Sequence, residues 1–198
     1  MVKKSHAQLV SSFERFSEYA SIFVFFTGVL ALIGWIGDIS VLKSLHPSLV
    51  SMKANTAIAI ILTGISLYFL QTKRSQHGKI YVAHGSAFVV ALIGLLTLIE
   101  YFSGWDMGID QLIFKESPQA VGTFSPGRMA PHTAVTLLIN GIALLLMNVE
   151  IRKKYRPLPY VSLIGHLPLL AYSGRQDVVS HWMILALVLP RSNICRRW

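Results

Sequence analysis

The chain contains an internal repeat that covers pairs of apolar segments. The stretch MKANTAIAIILTGISLYF begins at Met52 and returns as MAPHTAVTLLINGIALLL from Met129. The preceding segments also match, since GVLALIGW from Gly28 is similar to GLLTLIEY from Gly94. A repeat in fixed order predicts a fold made of duplicated supersecondary units. We interpret the repeated unit as a hairpin of two apolar helices.

Composition and segment length predict a membrane protein. Hydrophobic residues make up 53% of the chain and charged residues only 14%, whereas soluble domains contain about 25% charged residues. A helix needs about 20 mostly apolar residues to cross the hydrocarbon of a bilayer. Windows of this kind run over 19–37, 54–70, 80–102 and 132–149, and two weaker ones cover 158–172 and 178–190. We therefore expect an all-α protein with five or six transmembrane helices built from repeated hairpins.

The basic residues predict the orientation of these helices. Ten of them precede the first window, separate the second from the third, or follow the fourth, whereas the opposite loops are longer and more acidic. The positive-inside rule then places the N-terminus in the cytoplasm. We expect a cytoplasmic segment over 1–18, a two-hairpin membrane domain over 19–150, and a degenerate or truncated third hairpin over 151–198. The ten basic residues are Lys3, Lys4, Arg15, Lys73, Arg74, Lys79, Arg152, Lys153, Lys154 and Arg156.

Several function classes are disfavoured by the sequence. The net charge of +9 is explained by the membrane topology and by contact of basic residues with lipid headgroups. Nucleic-acid binding is disfavoured, because the sequence shows no basic face of a soluble nucleic-acid-binding fold. One cysteine, Cys195, cannot form an intrachain disulfide or a cysteine zinc cluster. His84 and His132 are expected at opposite faces, so they do not form a metal or haem site together. The sequence contains no P-loop, HExxH or GxSxG motif, and we expect no catalytic residue, metal or cofactor.

The repeat places polar residues where two inward-running helices begin at the outer face. Asn55 starts the first copy and His132 the second, beside Lys53 and Arg128 respectively. Such residues commonly cap a helix, and Pro131 suits a first turn because its missing N–H would be unpaired there. The positive end of a helix dipole beside a cation also favours an anion. Two such helix starts can therefore flank one outward-facing ligand pocket.

Two acidic residues complete the predicted ligand-binding set. Glu100 lies near the outer end of the third window, where burial of an ionisable group is costly. It is therefore a candidate for ligand binding, for pairing with Arg128, or for contact with the lipid headgroups. Asp110 lies in the long outer loop, whose Trp105, Ile109 and Leu112 suggest a short amphipathic element. The candidate ligand-side residues are Asn55, His132, Lys53, Arg128, Glu100 and Asp110.

The segments GWIGDISVLKSLHPSLVSMKANTAIAIILTGISL, GLLTLIEYFSGWDMGIDQLIF and PGRMAPHTAVTLLINGIALLL resemble the N-terminal membrane sensor region of bacterial signalling proteins. In that family the helices precede PAS domains and then a histidine kinase or GGDEF diguanylate cyclase. The resemblance covers about residues 20–150. After residue 160 the chain departs from the pattern, because a third hairpin and the output domains do not follow.

The resemblance implies a sensory input domain without its catalytic output, embedded in the lipid bilayer. It would act as a homodimer on a cytoplasmic signalling partner. A small transporter or channel subunit is the alternative, since repeated membrane hairpins also occur there. Its transport path would use mid-membrane polar residues, and a nonfunctional truncated remnant is a third interpretation. The polar residues are Thr63, Ser66, Thr97, Thr136 and Asn140.

Overall fold

The computed structural model describes residues 2–43, 51–71, 77–114 and 126–147, with side chains from residue 15 onward. These ranges contain helices and no strand, so the predicted all-α class is confirmed for this part of the chain. The predicted third hairpin over 151–198 lies outside the described residues. The elements are α1 (Val2–Ile36), α2 (Ser40–Lys43), α3 (Ala54–Gln71), α4 (His77–Ser103), the 3-10 helix η1 (Ile109–Gln111) and α5 (Pro131–Leu146).

Three helices of the described chain are long and apolar enough to cross a membrane. They are Arg15–Ile36 within α1, Ala54–Gln71 and His77–Ser103. The shortest of the three has 18 residues, a length of about 27 Å at 1.5 Å per residue. α5 is apolar but has 16 residues, and it ends three residues before the end of the predicted window. α1 begins at Val2, so the expected cytoplasmic segment is helical and continuous with the first apolar span.

The outward surfaces of these helices are strongly apolar. Phe26 of α1 and Phe88 of α4 are each 57% exposed, and isoleucine, leucine and valine side chains of the same helices are also exposed. Apolar surface of this extent is typical of a membrane or protein contact. A membrane protein is therefore the class that the described helices suggest.

The helices pack in the order α1 on α3, α3 on α4 and α4 on α5. Glycines allow two of these contacts to be very close. A Cβ at Gly94 would lie 2.6 Å from the carbonyl oxygen of Ala134, and a Cβ at Gly141 would lie 2.5 Å from the backbone nitrogen of Ala91. Small residues at such positions let membrane helices approach backbone to backbone. Gly28 and Gly64 make the equivalent close contacts between α1 and α3.

The C-terminal ends of α1 and α4 lie at the same end of the bundle as the starts of α3 and α5. Trp35, near the end of α1, donates its indole N–H to the carbonyl oxygen of Met52, 2.8 Å away. Its ring also lies 5.8 Å from the ring of Phe114, which follows η1. The end of α1 thus packs against the residue that follows η1 and against Met52, which precedes α3.

Candidate functional site

An arginine surrounded by carboxylates lies at this end of the bundle. Arg128 belongs to the segment before α5, and its side chain is only 10% exposed. Its Nε donates to Asp110 Oδ2 at 2.6 Å and lies 3.6 Å from Glu100 Oε2. Its Nη2 lies 3.6 Å from Asp106 Oδ1. We call Glu100, Asp106, Asp110 and Arg128 the carboxylate–arginine cluster.

Glu100 connects the last turn of α4 to the loop that follows it. Its side chain is fully buried, and its Oε1 accepts a 2.9 Å hydrogen bond from the backbone N–H of Met107. The Glu100 side chain therefore faces the protein interior and Arg128, not the headgroups. Among the roles that the sequence suggested for Glu100, the structure shows the ion pair with Arg128.

Tyr101 holds Arg128 from a second direction. The guanidinium carbon lies 5.5 Å from the centre of the Tyr101 ring, a cation–π contact. The Tyr101 hydroxyl donates to the carbonyl oxygen of Met129 at 2.9 Å. Since Met129 is itself buried in the core, the residue that follows Arg128 is attached to the bundle.

Two glycines allow the loop to reach this arrangement. Gly108 has φ +69° and directly precedes η1, so its left-handed backbone turns the chain into the 3-10 helix. Gly127 has φ +79°, and a Cβ there would lie 2.5 Å from the backbone oxygen of Asp110. The segment before α5 therefore approaches η1 closely enough for Arg128 to bond to Asp110.

η1 is also attached to the start of α3. The side-chain amide of Asn55 donates to the carbonyl oxygen of Ile109 at 2.9 Å. Gln111 makes a comparable bond on the other side of η1, from its amide to the carbonyl oxygen of Pro126 at 3.2 Å. The 3-10 helix is therefore joined to α3 through Asn55 and to the segment before α5 through Gln111 and Asp110. α4 reaches the same segments through Glu100, which bonds to Met107 and pairs with Arg128.

The six predicted ligand-side residues divide into three groups. Glu100, Asp110 and Arg128 meet in the cluster, and Asn55 contacts the neighbouring residue of Asp110. Lys53 is buried just before α3, and His132 is half-buried in the first turn of α5. Neither is among the side chains that pair with Arg128. Whether any of the six binds a ligand remains a prediction.

The helix start of α5 differs from the capping interpretation. α5 does begin at Pro131, as predicted, but its N-cap residue is Ala130, and no side chain caps the helix. The carbonyl oxygen of His132 instead accepts from the Thr136 hydroxyl at 2.8 Å. In α3, Asn55 donates its amide to η1. The Asn55 amide thus makes a tertiary contact, whereas the Thr136 bond is local to α5.

The charge balance of the cluster is negative. Three carboxyl groups face one guanidinium, although the Asp106 side chain is 79% exposed and its charge is screened by solvent. Burial of Arg128 disfavours its charged form, but the hydrogen bond that Arg128 donates to Asp110 and the nearby charges of Asp110, Glu100 and Asp106 outweigh it and raise the pKa of Arg128. Arg128 is therefore a permanent cation engaged by the protein's own carboxylates.

Polar side chains also lie between the helices, away from the cluster. All five residues suggested for a transport path are buried, with Thr63, Ser66 and Asn140 fully so. The Thr63 hydroxyl donates to the carbonyl oxygen of Ala59 in its own helix, a common arrangement in apolar helices. The Ser66 hydroxyl is buried without a hydrogen-bond partner.

Three participants of the site were not among the predicted site residues. Asp106 and Tyr101 contact Arg128, and Gln111 ties η1 to Pro126. One sequence feature could have indicated Asp106. Acidic residues recur before and within the loop, and one arginine follows them ahead of α5. In the described ranges, no group of three or more histidine, cysteine, aspartate or glutamate residues is placed to hold a metal ion.

Comparison of the chain with protein-family models, with curated proteins and with solved structures found no match. The candidate site therefore rests on the chain's own geometry.

Proposed function

We propose that the chain is a membrane-embedded sensory input domain of a bacterial signal-transduction protein, of the histidine kinase or diguanylate cyclase type. In this proposal it crosses the inner membrane several times with its N-terminus in the cytoplasm. The single observation that carries the proposal is the buried carboxylate–arginine cluster, because it attaches the segments between helices to the last turn of α4. A stimulus that acts on those segments can thereby act on the helices.

The transmission step follows from the packing below the cluster. α4 and α5 touch backbone to backbone at Gly94 and Gly141, so a displacement of the end of α4 moves α5 with it. Close-packed interfaces shift between discrete arrangements more readily than they deform continuously. A ligand or membrane state that favours one arrangement of the loop would then favour one arrangement of the helices. The receiver would be a cytoplasmic partner or a second copy of the chain.

Repeated hairpins are part of the same proposal. Gly64 and Gly141 occupy equivalent positions of the two sequence copies, and both lie where a Cβ would contact a neighbouring helix, at Phe25 and Ala91 respectively. Equivalent close contacts support a duplicated unit of paired helices, α1 with α3 and α4 with α5. A protein of five or six transmembrane helices would continue this pattern beyond the described residues.

The test measures whether a change at the cluster reaches the other end of the helices. Spin labels are attached to cysteines placed at Arg15 and Tyr81. Both residues are exposed, and both lie near the end of an apolar span that is away from the cluster, in α1 and α4 respectively. The full chain, with Cys195→Ser, is reconstituted in lipid nanodiscs, and electron–electron double resonance gives the label distance. Wild type is compared with Arg128→Gln and with the milder Asp110→Asn.

A sensor domain should show a shifted or broadened distance distribution in both cluster variants. Asp38→Asn is the matched control, because Asp38 lies at the same end of the bundle with a side chain that is 93% exposed. It should give the wild-type distribution. Identical distributions in all four proteins would contradict the sensory proposal, since the cluster would then be a local structural bond.

A transporter or channel subunit is the second candidate, favoured by the buried polar side chains between the helices. Asn140 is fully buried, as is the Ser66 hydroxyl that has no hydrogen-bond partner. The candidate predicts passage of Na⁺, K⁺ or Cl⁻ through proteoliposomes that contain the full chain, and loss of this flux in Asn140→Leu. Absence of flux for all three ions in wild type would count against an ion path.

A further inference from the structure

The loop after α4 exposes large apolar side chains beyond the end of the apolar span. The span ends at Ser103, and exposed apolar residues continue along the loop as far as Ile113. Single exposed apolar residues are ordinary on a protein surface, whereas several on one short segment indicate a contact. We call Trp105, Met107, Leu112 and Ile113 the apolar rim.

The polarity of η1 and the residues after it is reversed relative to a loop in water. Asp110 has a side chain that is only 3% exposed, and it accepts a hydrogen bond from Arg128. Gln111 donates its amide to a backbone carbonyl of the segment before α5. Leu112 and Ile113, which follow, are exposed, Leu112 by 76%. Because exposure of apolar surface to water is unfavourable, the outward side of this segment fits an apolar neighbour and not bulk water.

The apolar rim continues the outward surface of α4. Ile99 and Phe102, in the last turns of that helix, are exposed, Phe102 by 87%. Trp105 follows the helix end by two residues, and tryptophan is enriched where the acyl chains meet the headgroups. The neighbour of an exposed apolar span is lipid, so continuity with α4 identifies lipid as the neighbour of the rim. Apolar surface also follows the span of α1, at Ile39 and Val41, and the bilayer is the neighbour that both spans share.

The apolar rim and the carboxylate–arginine cluster share one short segment. Met107 of the rim donates its backbone N–H to Oε1 of Glu100 at 2.9 Å. Leu112 follows Asp110 by two residues, and its backbone N–H donates to the carbonyl oxygen of Ile109 in η1. A displacement of the rim is therefore passed to the residues that pair with Arg128.

We propose that the apolar rim binds the lipid leaflet at this end of the bundle. Leu112 and Ile113 contact the acyl chains, and Trp105 lies among the headgroups, where water still reaches it. Recognition is by apolar contact, and it therefore depends on the thickness and packing of the leaflet more than on headgroup charge. Lipid binding by the rim does not depend on the sensory proposal, and in a sensor it would make the leaflet itself the stimulus.

Collision rates of a spin label in nanodiscs of phosphatidylcholine test the environment of the apolar rim. The label is attached through Leu112→Cys in the full chain, with Cys195→Ser as background. Oxygen is enriched among acyl chains, whereas a nickel chelate remains in water. The ratio of the oxygen to the nickel collision rate should be several-fold higher for Leu112→Cys than for Asp38→Cys. Asp38 is the matched control, because it lies at the same end of the bundle with a side chain that is 93% exposed.

Two results would overturn the proposal. An equal ratio at both positions would place the apolar rim in water. A label at position 112 that is shielded from both reagents, with a spectrum broadened by a second label, would place a second copy of the chain on the rim. Ile113→Cys repeats the measurement if Leu112→Cys does not fold, and it should give the same high ratio.

Fluorescence quenching of Trp105 provides an independent measurement of depth. Wild type and Trp105→Phe are compared in nanodiscs whose lipids carry a nitroxide either on the headgroup or near the end of an acyl chain. The difference between the two proteins reports Trp105, since the other tryptophans are common to both. The headgroup nitroxide should quench this difference signal more strongly. Absence of quenching by either lipid, or stronger quenching from the chain end, would contradict the placement.

Discussion

Replacing Arg128 with methionine should strongly destabilise the described bundle. Methionine keeps an apolar stem of similar length but supplies neither the charge nor the hydrogen bond to Asp110. Glu100 and Asp110 would then remain buried without the guanidinium that pairs with both of them. Their oxygens cannot turn to solvent easily, because Oε1 of Glu100 is fixed by the backbone N–H of Met107.

The size of the effect follows from the contacts that disappear. The 2.6 Å bond from Arg128 to Asp110 is charge-assisted, a class of bond that contributes about 1.5–3 kcal/mol. The cation–π contact with Tyr101 adds about 0.5–2 kcal/mol. The Asp106 pair is largely exposed and contributes about 0–1 kcal/mol. The sum agrees with the cost of about 3–5 kcal/mol for breaking a buried ion pair by removing one partner.

The assay is unfolding of the full chain in mixed detergent micelles, followed by tryptophan fluorescence. The loss should shrink as the pH falls, because protonation of the buried carboxylates removes the charge that Arg128 had balanced. The same Arg128→Met change made in a Glu100→Gln, Asp110→Asn background should cost much less, since no buried carboxylate then remains. A loss below about 1 kcal/mol in the wild-type background, as for a surface pair, would refute the claim that the cluster is a buried electrostatic junction.

Two other predictions concern helix contact and the loop after α1. Gly141→Ala should lower the free energy of unfolding of the protein in micelles by about 1–3 kcal/mol through overpacking, because the added Cβ would lie 2.5 Å from the backbone nitrogen of Ala91. Gly85→Ala, whose Cβ would meet nothing within 4 Å, should instead be neutral or stabilising, and equal effects would contradict the packing argument. The hydrogen bond from Lys43 and its positive charge lower the pKa of Asp38. The ion pair therefore stabilises the folded protein at pH values above the ordinary Asp pKa, and this stabilisation is lost as the pH falls through the lowered pKa. Lys43→Met should return that pKa to its ordinary range in a carboxyl NMR titration, and an unchanged pKa would exclude Lys43 as the cause.

Much of the helical framework could be predicted because it depends on local patterns. Apolar windows locate α3 and α4 within a few residues, since each must cover a similar length of apolar environment. The window that starts at residue 19 misses the beginning of α1 at Val2, because the first part of that helix is not apolar. Pro131 predicts the first residue of α5, because proline fits a helix start and not its interior. The close helix contacts at Gly94 and Gly141 depend on local residue size, as only a small residue permits them.

The candidate site could be predicted only in part, because its contacts join distant parts of the chain. The pairing of Glu100 with Arg128 was one of the roles considered, since a charge near the end of an apolar helix needs a partner. The bond from Asn55 to Ile109 links residues 54 positions apart, and no local rule indicates it. The turn at Gly127 that brings Arg128 to Asp110 depends on a positive φ that glycine permits but does not require.

The proposed topology places the carboxylate–arginine cluster on the outer side of a multi-pass membrane protein, and labelling from one side of the membrane tests this placement. Single cysteines are placed at Trp105, which is 72% exposed in the loop after α4, and at Tyr81, which is 77% exposed near the other end of that helix. With Cys195→Ser as background, intact bacterial spheroplasts are treated with a membrane-impermeant maleimide. Position 105 should react at once and position 81 only after the membrane is permeabilised. The reverse pattern, or equal reaction at both positions before permeabilisation, would contradict the account.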